Sequence, residues 1–125
     1  EKTILGDKVK IPEHPTRGQV IKPETARQVQ SMLENVVLRG HGKRAKVDGV
    51  RVGGKTGTAQ VPDPQGGYYS DRTIGSFAGM FPLDDPKFVM VVRLDNPKTV
   101  KFAESSAAPT FGEIAEWIAN YYQLR

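Results

Sequence analysis

At 125 residues the chain has the length of one small domain, and its composition is that of an ordinary water-soluble protein. Eighteen basic against fourteen acidic residues give a net charge of +4, scattered along the chain without the aromatic-interleaved basic face of a nucleic-acid surface, so no nucleic-acid partner is expected. The absence of cysteine excludes a disulfide framework and a thiolate metal site, and no apolar run approaches the roughly eighteen residues of a membrane-spanning helix.

In chain order, residues 1–21 read as a loop-rich lead-in. Two short extended candidates, Thr3–Leu5 and Lys8–Ile11, are joined by Gly6-Asp7, and Pro12 and Pro15 stop the second. With no leader-like segment and Glu1 in place of methionine, the start is read as a cut within a longer protein. A helix follows. Pro23 suits its first turn, Glu24 its positive end, and Ala26, Val29, Leu33, Val36 and Val37 repeat at three and four to mark one buried stripe. Gly40 is expected to end it in the left-handed conformation. Lys43-Arg44-Lys46 reads as a solvated connection, with His41 a solvated loop residue between two glycines; His14 receives the same reading.

Val47–Val52 alternates like a strand and leads into GGKTGTAQ. Residues 61–72, with two prolines and two adjacent glycines, are expected to be a loop carrying Tyr68 and Tyr69. Thr73–Phe81 reads as a second strand. Lys87–Leu94 reads as a third, apolar enough at its centre to be covered on both faces. A last helix, about Pro109 to Leu124, lines Phe111, Ile114, Ala115, Ile118, Tyr121 and Tyr122 along one side. Connections this short favour antiparallel neighbours. Residues 22–125 are therefore helix, three strands, helix, an α/β (α+β) layer of helices on an antiparallel sheet.

The chemistry concentrates in Gly49–Gln60, GVRVGGKTGTAQ. Its first eight residues satisfy the phosphate-binding pattern G-x-x-x-x-G-K-[ST], and its centre holds Lys-Thr-Gly. A phosphate loop requires a helix directly after Lys-Thr, whose free N–H groups face the phosphates. Here Gly57-Thr58-Ala59-Gln60-Val61-Pro62-Asp63-Pro64 follows, and glycine, β-branched residues and two prolines forbid that helix. The alternative is an extended segment. Alternation then places Thr56 and Thr58 on one side and Lys55 with Gly57 on the other. Two hydroxyls beside a lysine suit a carboxylate, Gly57 leaves room for close backbone approach, and a free strand edge can take up an extended peptide.

The pieces PETARQVQSMLENVV, GVRVGGKTGTAQ, GGYYSDRTIGSFAGMFPLDDPKFVMVVRLDNP and AAPTFGEIAEWI occur in that order from about Ile21 onward. In them the chain resembles the C-terminal part of the transpeptidase domain of class B penicillin-binding proteins, the peptidoglycan D,D-transpeptidases of division and elongation. The set S-x-x-K, S-D-N and K-T-G marks these enzymes. The resemblance implies the penicillin-binding-protein/serine β-lactamase-like fold, here partial, with residues 1–125 forming the C-terminal segment of one domain. It implies catalytic roles for Lys55 and for the backbone N–H of Thr58 as an oxyanion donor. Thr56, Gly57 and Thr58 would bind the carboxylate of a D-Ala-D-Ala stem peptide or of a β-lactam. Tyr68, Tyr69 and Phe102 would border the groove. No metal or cofactor is implied.

The departures are equally informative. None of the five serines, Ser31, Ser70, Ser76, Ser105 and Ser106, is followed by lysine three places on or asparagine two places on. Family members often have Gly-Thr-Gly where this chain has Gly40-His41-Gly42. The resemblance therefore makes the remainder of the domain, with its Ser-x-x-Lys and Ser-x-Asn, an obligatory partner, and expects this chain to be inactive alone. It also implies a membrane-anchored parent with this domain outside the cytoplasmic membrane of a bacterium, meeting other division or elongation proteins through that parent. Two alternatives share the Lys-Thr-Gly strand: a serine β-lactamase or D,D-carboxypeptidase, and a β-lactam-sensing or interaction domain without turnover.

Overall fold

A computed structural model describes residues 18–125. The extended candidates before Pro12, and His14, lie outside the described residues. Helix α1 spans Pro23–Arg39, strands β1, β2 and β3 span Gly53–Pro62, Tyr68–Phe81 and Phe88–Asp95, and helix α2 spans Ala107–Tyr121. Single 3-10 turns at Lys43–Ala45 and Ala103–Ser105 introduce β1 and α2 from the side. The sheet is antiparallel in the order β1-β2-β3, as short connections require.

Residues directly opposite in an antiparallel pair share a face. Thr56 lies opposite Phe77, Gly54 opposite Gly79 and Thr58 opposite Gly75, so these six face one side, and α2 covers much of it. There Phe77, Phe81 and Phe111 are fully buried, with ring centroids 4.8 Å apart for Phe77–Phe111 and 5.8 Å for Phe81–Phe111. Ala107, Ala108, Ala115 and Ala119 let α2 lie close to the sheet, and Val37, Val47, Val50 and Val52 complete the core. Gly54 makes this packing possible: a Cβ there would sit 2.4 Å from the Phe77 ring. On the opposite face of β1, Leu33 of α1 and Leu83 close over Gly53.

Several expectations need correction. Gly40 does end α1, but with φ −101° and ψ −156° it is extended, not left-handed. Its value is close approach, because its N–H and that of Gly42 both donate to the Val36 carbonyl at 3.0 Å, and a Cβ would lie 3.0 Å from that oxygen. Val47–Val52 is no strand. Asp48-Gly49, with Gly49 at φ 77°, turns the segment back so that Val47 and Val50 form an isolated bridge. The 61–72 loop shrinks, because β1 runs to Pro62 and β2 starts at Tyr68, with a register irregularity between Gln60 and Pro62. Pro62 is tolerated because β1 is an edge strand.

Strand β3 is not covered on both faces. Val92 is buried and Phe88, Met90 and Leu94 turn toward the core, while Val89 and Val91 are 78% and 65% exposed. Among the described residues, only one face of β3 meets a helix. The helical stripes are likewise half used: Val37 is the only buried residue of α1, Val29 is exposed, and Ile114 and Tyr121 of α2, with Tyr122 just after it, are exposed while Phe111 and Ala115 are fully buried. Helix α2 also begins at Ala107, two residues before the expected Pro109, which sits in its first turn.

Candidate functional site

The disputed lysine stands on a strand. Gly53–Pro62 is extended throughout, so Lys55 and Thr56 have no helix behind them and the phosphate-loop reading is excluded by the backbone. β1 is the outer strand of the three, and one of its edges is unpaired within the described residues.

Thr56, Thr58, Phe102, His41 and Glu104 line a cavity of about 340 Å³. Thr56 and Thr58 are presented by alternation on β1. Phe102 and Glu104 come from the 3-10 turn preceding α2, which is tied to β1 by the Ala103 N–H donating to Thr58 Oγ1 at 3.2 Å. Ser106 is buried and donates to the Phe102 carbonyl at 3.0 Å, closing that turn. His41 reaches in from the other side, held between the two glycines that share the Val36 carbonyl. Its Nδ1 lies 2.5 Å from Glu104 Oε2.

Lys55 has its Cβ on the face opposite the threonines, together with Gly57, as alternation requires. The four-carbon stem cancels that separation. Lys55 Nζ curls back to donate to the Thr56 carbonyl at 2.9 Å and lies 3.4 Å from Thr56 Oγ1. An ammonium and two hydroxyls therefore gather at one stretch of the open edge. Residues two apart on a strand turn their N–H and C=O groups to the same edge. The Thr58 N–H thus faces the same way as the Thr56 carbonyl that holds Lys55. Gly57 has its own steric reason, since a Cβ there would sit 2.8 Å from Ser76 Oγ, which donates to the Gly57 carbonyl at 3.3 Å.

Of the three aromatic residues singled out from the sequence, Phe102 lines the cavity and is 62% exposed. Tyr68 and Tyr69 do not line it. They belong to β2 rather than a loop, with Tyr68 opposite Pro62 and the Arg72 guanidinium 4.1 Å from the centre of the Tyr69 ring. Glu104 is the residue that sequence reasoning missed, and His41, read as merely solvated, is its partner. Sixty-three positions separate them, and neither sits in a motif, so only the tertiary fold announces the pair.

A second charged constellation lies outside the cavity. Arg51, just before β1, makes a two-pronged contact with Glu34 of α1, both N–O distances being 2.7 Å, and also bonds Asp84 of the β2–β3 connection. The Leu83 N–H donates to the Arg51 carbonyl at 2.9 Å. The hydrogen-bonded guanidinium holds the Glu34 carboxyl below the usual range against the opposing effect of burial. This clamp orients β1 relative to α1.

Comparison with known proteins identifies the family. The family model described as the penicillin-binding protein transpeptidase domain matches residues 2–116. Stage V sporulation protein D of Bacillus subtilis is 51% identical over 100 residues, covering 78% of this chain and 15% of that protein. Penicillin-binding protein PbpB of Mycolicibacterium smegmatis is 44% identical over 122 residues, covering 90% of this chain and 19% of that protein. The chain thus spans less than a fifth of the length of these relatives. Among solved structures, penicillin-binding protein 3 of Mycobacterium tuberculosis superposes with a TM-score of 0.79 at 34% identity, covering 98% of this chain and 29% of that one. The same protein has been solved with aztreonam and with ampicillin, at TM-scores of 0.78 and 0.77. A family match over nearly all of the chain, joined to a Lys-Thr-Gly edge strand beside a cavity, establishes that the chain belongs to the penicillin-binding protein transpeptidase family, of the class B type.

Proposed function

We propose that the chain is the C-terminal segment of a serine D,D-transpeptidase domain that cross-links peptidoglycan, and that β1 is its carboxylate-binding wall. The observation that carries this reading is the convergence of Lys55, Thr56 and Thr58 on the open edge of one strand. A stem peptide ending in D-Ala-D-Ala lies antiparallel to β1, its terminal carboxylate accepting hydrogen bonds from the Thr56 and Thr58 hydroxyls beside the Lys55 ammonium. Gly57 keeps the strand passable. Thr58 Oγ1 already accepts the Ala103 N–H and so is oriented with its own proton free to donate.

The nucleophile comes from the remainder of the domain. Its serine oxygen attacks the penultimate D-Ala carbonyl carbon, and the carbonyl oxygen becomes an oxyanion that takes a hydrogen bond from the Thr58 N–H. The C–N bond breaks, and the terminal D-Ala leaves with a proton as the free amino acid. The amine of a second stem peptide then attacks the acyl ester, forming the new amide and returning the serine. A β-lactam presents an acidic group and a strained amide to the same groups, a reading supported by the tuberculosis relative having been solved with ampicillin and with aztreonam. The site of action is the bacterial cell envelope, on the outer side of the cytoplasmic membrane. Phe102 borders the groove; Tyr68 and Tyr69 stand off the cavity and would meet only a ligand that extends along the hairpin.

The test uses the complete protein with a stem-peptide donor and an added amine. Release of D-Ala matched by transfer to the amine is expected. Hydrolysis alone would support a carboxypeptidase or β-lactamase instead, and covalent labelling without turnover a sensor.

A further inference from the structure

The cavity holds an electrostatic contradiction. Two threonine hydroxyls suited to an anionic carboxylate share it with the side chain of Glu104. Ala103 bonds Thr58 directly, so Glu104 is one residue from the clamp. Left uncompensated, its charge repels any ligand that brings a carboxylate to Thr56 and Thr58. His41 stands against it at 2.5 Å, and the two side chains are 81% and 44% exposed. The histidine is not there by accident of a wandering loop, since Gly40 and Gly42 pin it from both sides to the end of α1.

We propose that His41 and Glu104 are specificity-determining residues, a charge-compensating pair that sets how readily the cavity admits an anionic ligand. This rests on the reading of Thr56 and Thr58 as a carboxylate clamp. With the imidazole protonated the pair is neutral and the anion sees the Lys55 ammonium. With the imidazole neutral, the Glu104 charge stands unopposed beside the clamp. Among the described residues, Lys43 and Arg44 border an adjoining recess with the pair, and Lys55 bonds Thr56, which lines the same cavity. Among these side-chain types imidazole is the one whose charge ordinarily changes between pH 5 and 8.

The experiment measures second-order acylation of the complete protein by benzylpenicillin, a monoanion. Wild type, His41→Gln, Glu104→Gln and the double variant are compared between about pH 5.5 and about pH 8.5, at low and high salt. At the acid end, His41→Gln slows acylation by about fivefold, the rate equivalent of the roughly 1 kcal/mol between unit charges about 4 Å apart in water, the regime that fits side chains this exposed. On this proposal that loss fades toward the alkaline end, the direction in which an imidazole gives up its charge. Glu104→Gln removes the dependence, the double variant behaves like Glu104→Gln, and high salt shrinks every difference. A His41→Gln defect that is constant with pH, unrelieved by Glu104→Gln, or indifferent to salt overturns the pair while leaving the clamp standing. Failure of benzylpenicillin to acylate even the wild type overturns the clamp and the pair together. Both side chains are substantially exposed, and equal melting temperatures for all four proteins confirm that the rates compare folded molecules.

Discussion

At the scale of single residues, Thr58 serves two masters. Its hydroxyl accepts the Ala103 N–H and so ties the turn carrying Phe102 and Glu104 to β1, and the same oxygen lines the cavity. Thr58→Val keeps the shape and removes both functions. The part-buried Ala103 N–H then loses its partner, a cost of about 1–3 kcal/mol that every ligand feels through a loosened turn. The second loss is selective. A hydrogen bond to a charged partner contributes about 1.5–3 kcal/mol, so acylation by a carboxylate-bearing β-lactam should fall on the order of 10- to 100-fold beyond the fall for its amidated analogue. Thr58→Ser, which restores the hydroxyl, should recover most of that difference. Acylation rates for the two ligands with the three proteins provide the check, and equal losses for both ligands would remove Thr58 from the clamp.

At the scale of elements, the junction of α1, β1 and the β2–β3 connection is held by Arg51 between Glu34 and Asp84. The Glu34 carboxyl is held below its ordinary value of 4.5, chiefly by its hydrogen bonds to Arg51. A carboxyl whose folded-state pKa is depressed binds its proton more readily when unfolded. Its stabilising contribution is therefore complete above the unfolded value, and it is lost as the pH falls through the folded one. Urea midpoints of the transpeptidase domain from pH 7 down to about pH 3 should fall less steeply for Glu34→Gln than for wild type, with the curves converging at the acid end. Parallel curves would show that the clamp is not sensed in stability. Much of this scale was legible in the sequence. Pro23 and the apolar repeat marked α1 within a residue of its observed bounds, and the prolines after Gln60 ruled out a helix behind Lys55. What failed was local chemistry outvoted by neighbours: Asp48-Gly49 folded a run that alternates like a strand, and β2 began as early as Tyr68, which pairs with Pro62 of β1 across a register irregularity. At the site, alternation placed Thr56 and Thr58 on one face and the Lys55 Cβ on the other, but it could not show that the long Lys55 stem curls back to Thr56. The His41–Glu104 contact, which joins distant parts of the chain, left no local trace.

At the scale of the molecule, apolar patterning recorded more surface than this chain covers. Val89 and Val91 on β3 and Tyr121 on α2, all read from the sequence as covered, are at least 65% exposed, as are Met32 on α1 and Trp117, which stacks on Tyr121. The expectation that β3 is covered on both faces failed within these residues, yet a strand so apolar is one that parallel or interior sheet positions select. The solved relative extends over a chain of which this one covers 29%, so covering surface has a natural source in the rest of such a domain. The same division applies to chemistry. The proposed clamp and oxyanion donor lie on β1, whereas no serine of the 125 residues has a lysine three positions on. A fluorescent penicillin should therefore leave the isolated chain unlabelled. Mixed with the preceding part of the domain, the chain should bury those faces, and the label should appear on the other segment, through the serine followed by x-x-Lys. Thr58→Val in this chain should then weaken the labelling of its partner, a loss transmitted between two polypeptides that only a shared site explains. Gel fluorescence of the two separated segments reads the outcome directly, and label on this chain alone would mean that the nucleophile is here after all.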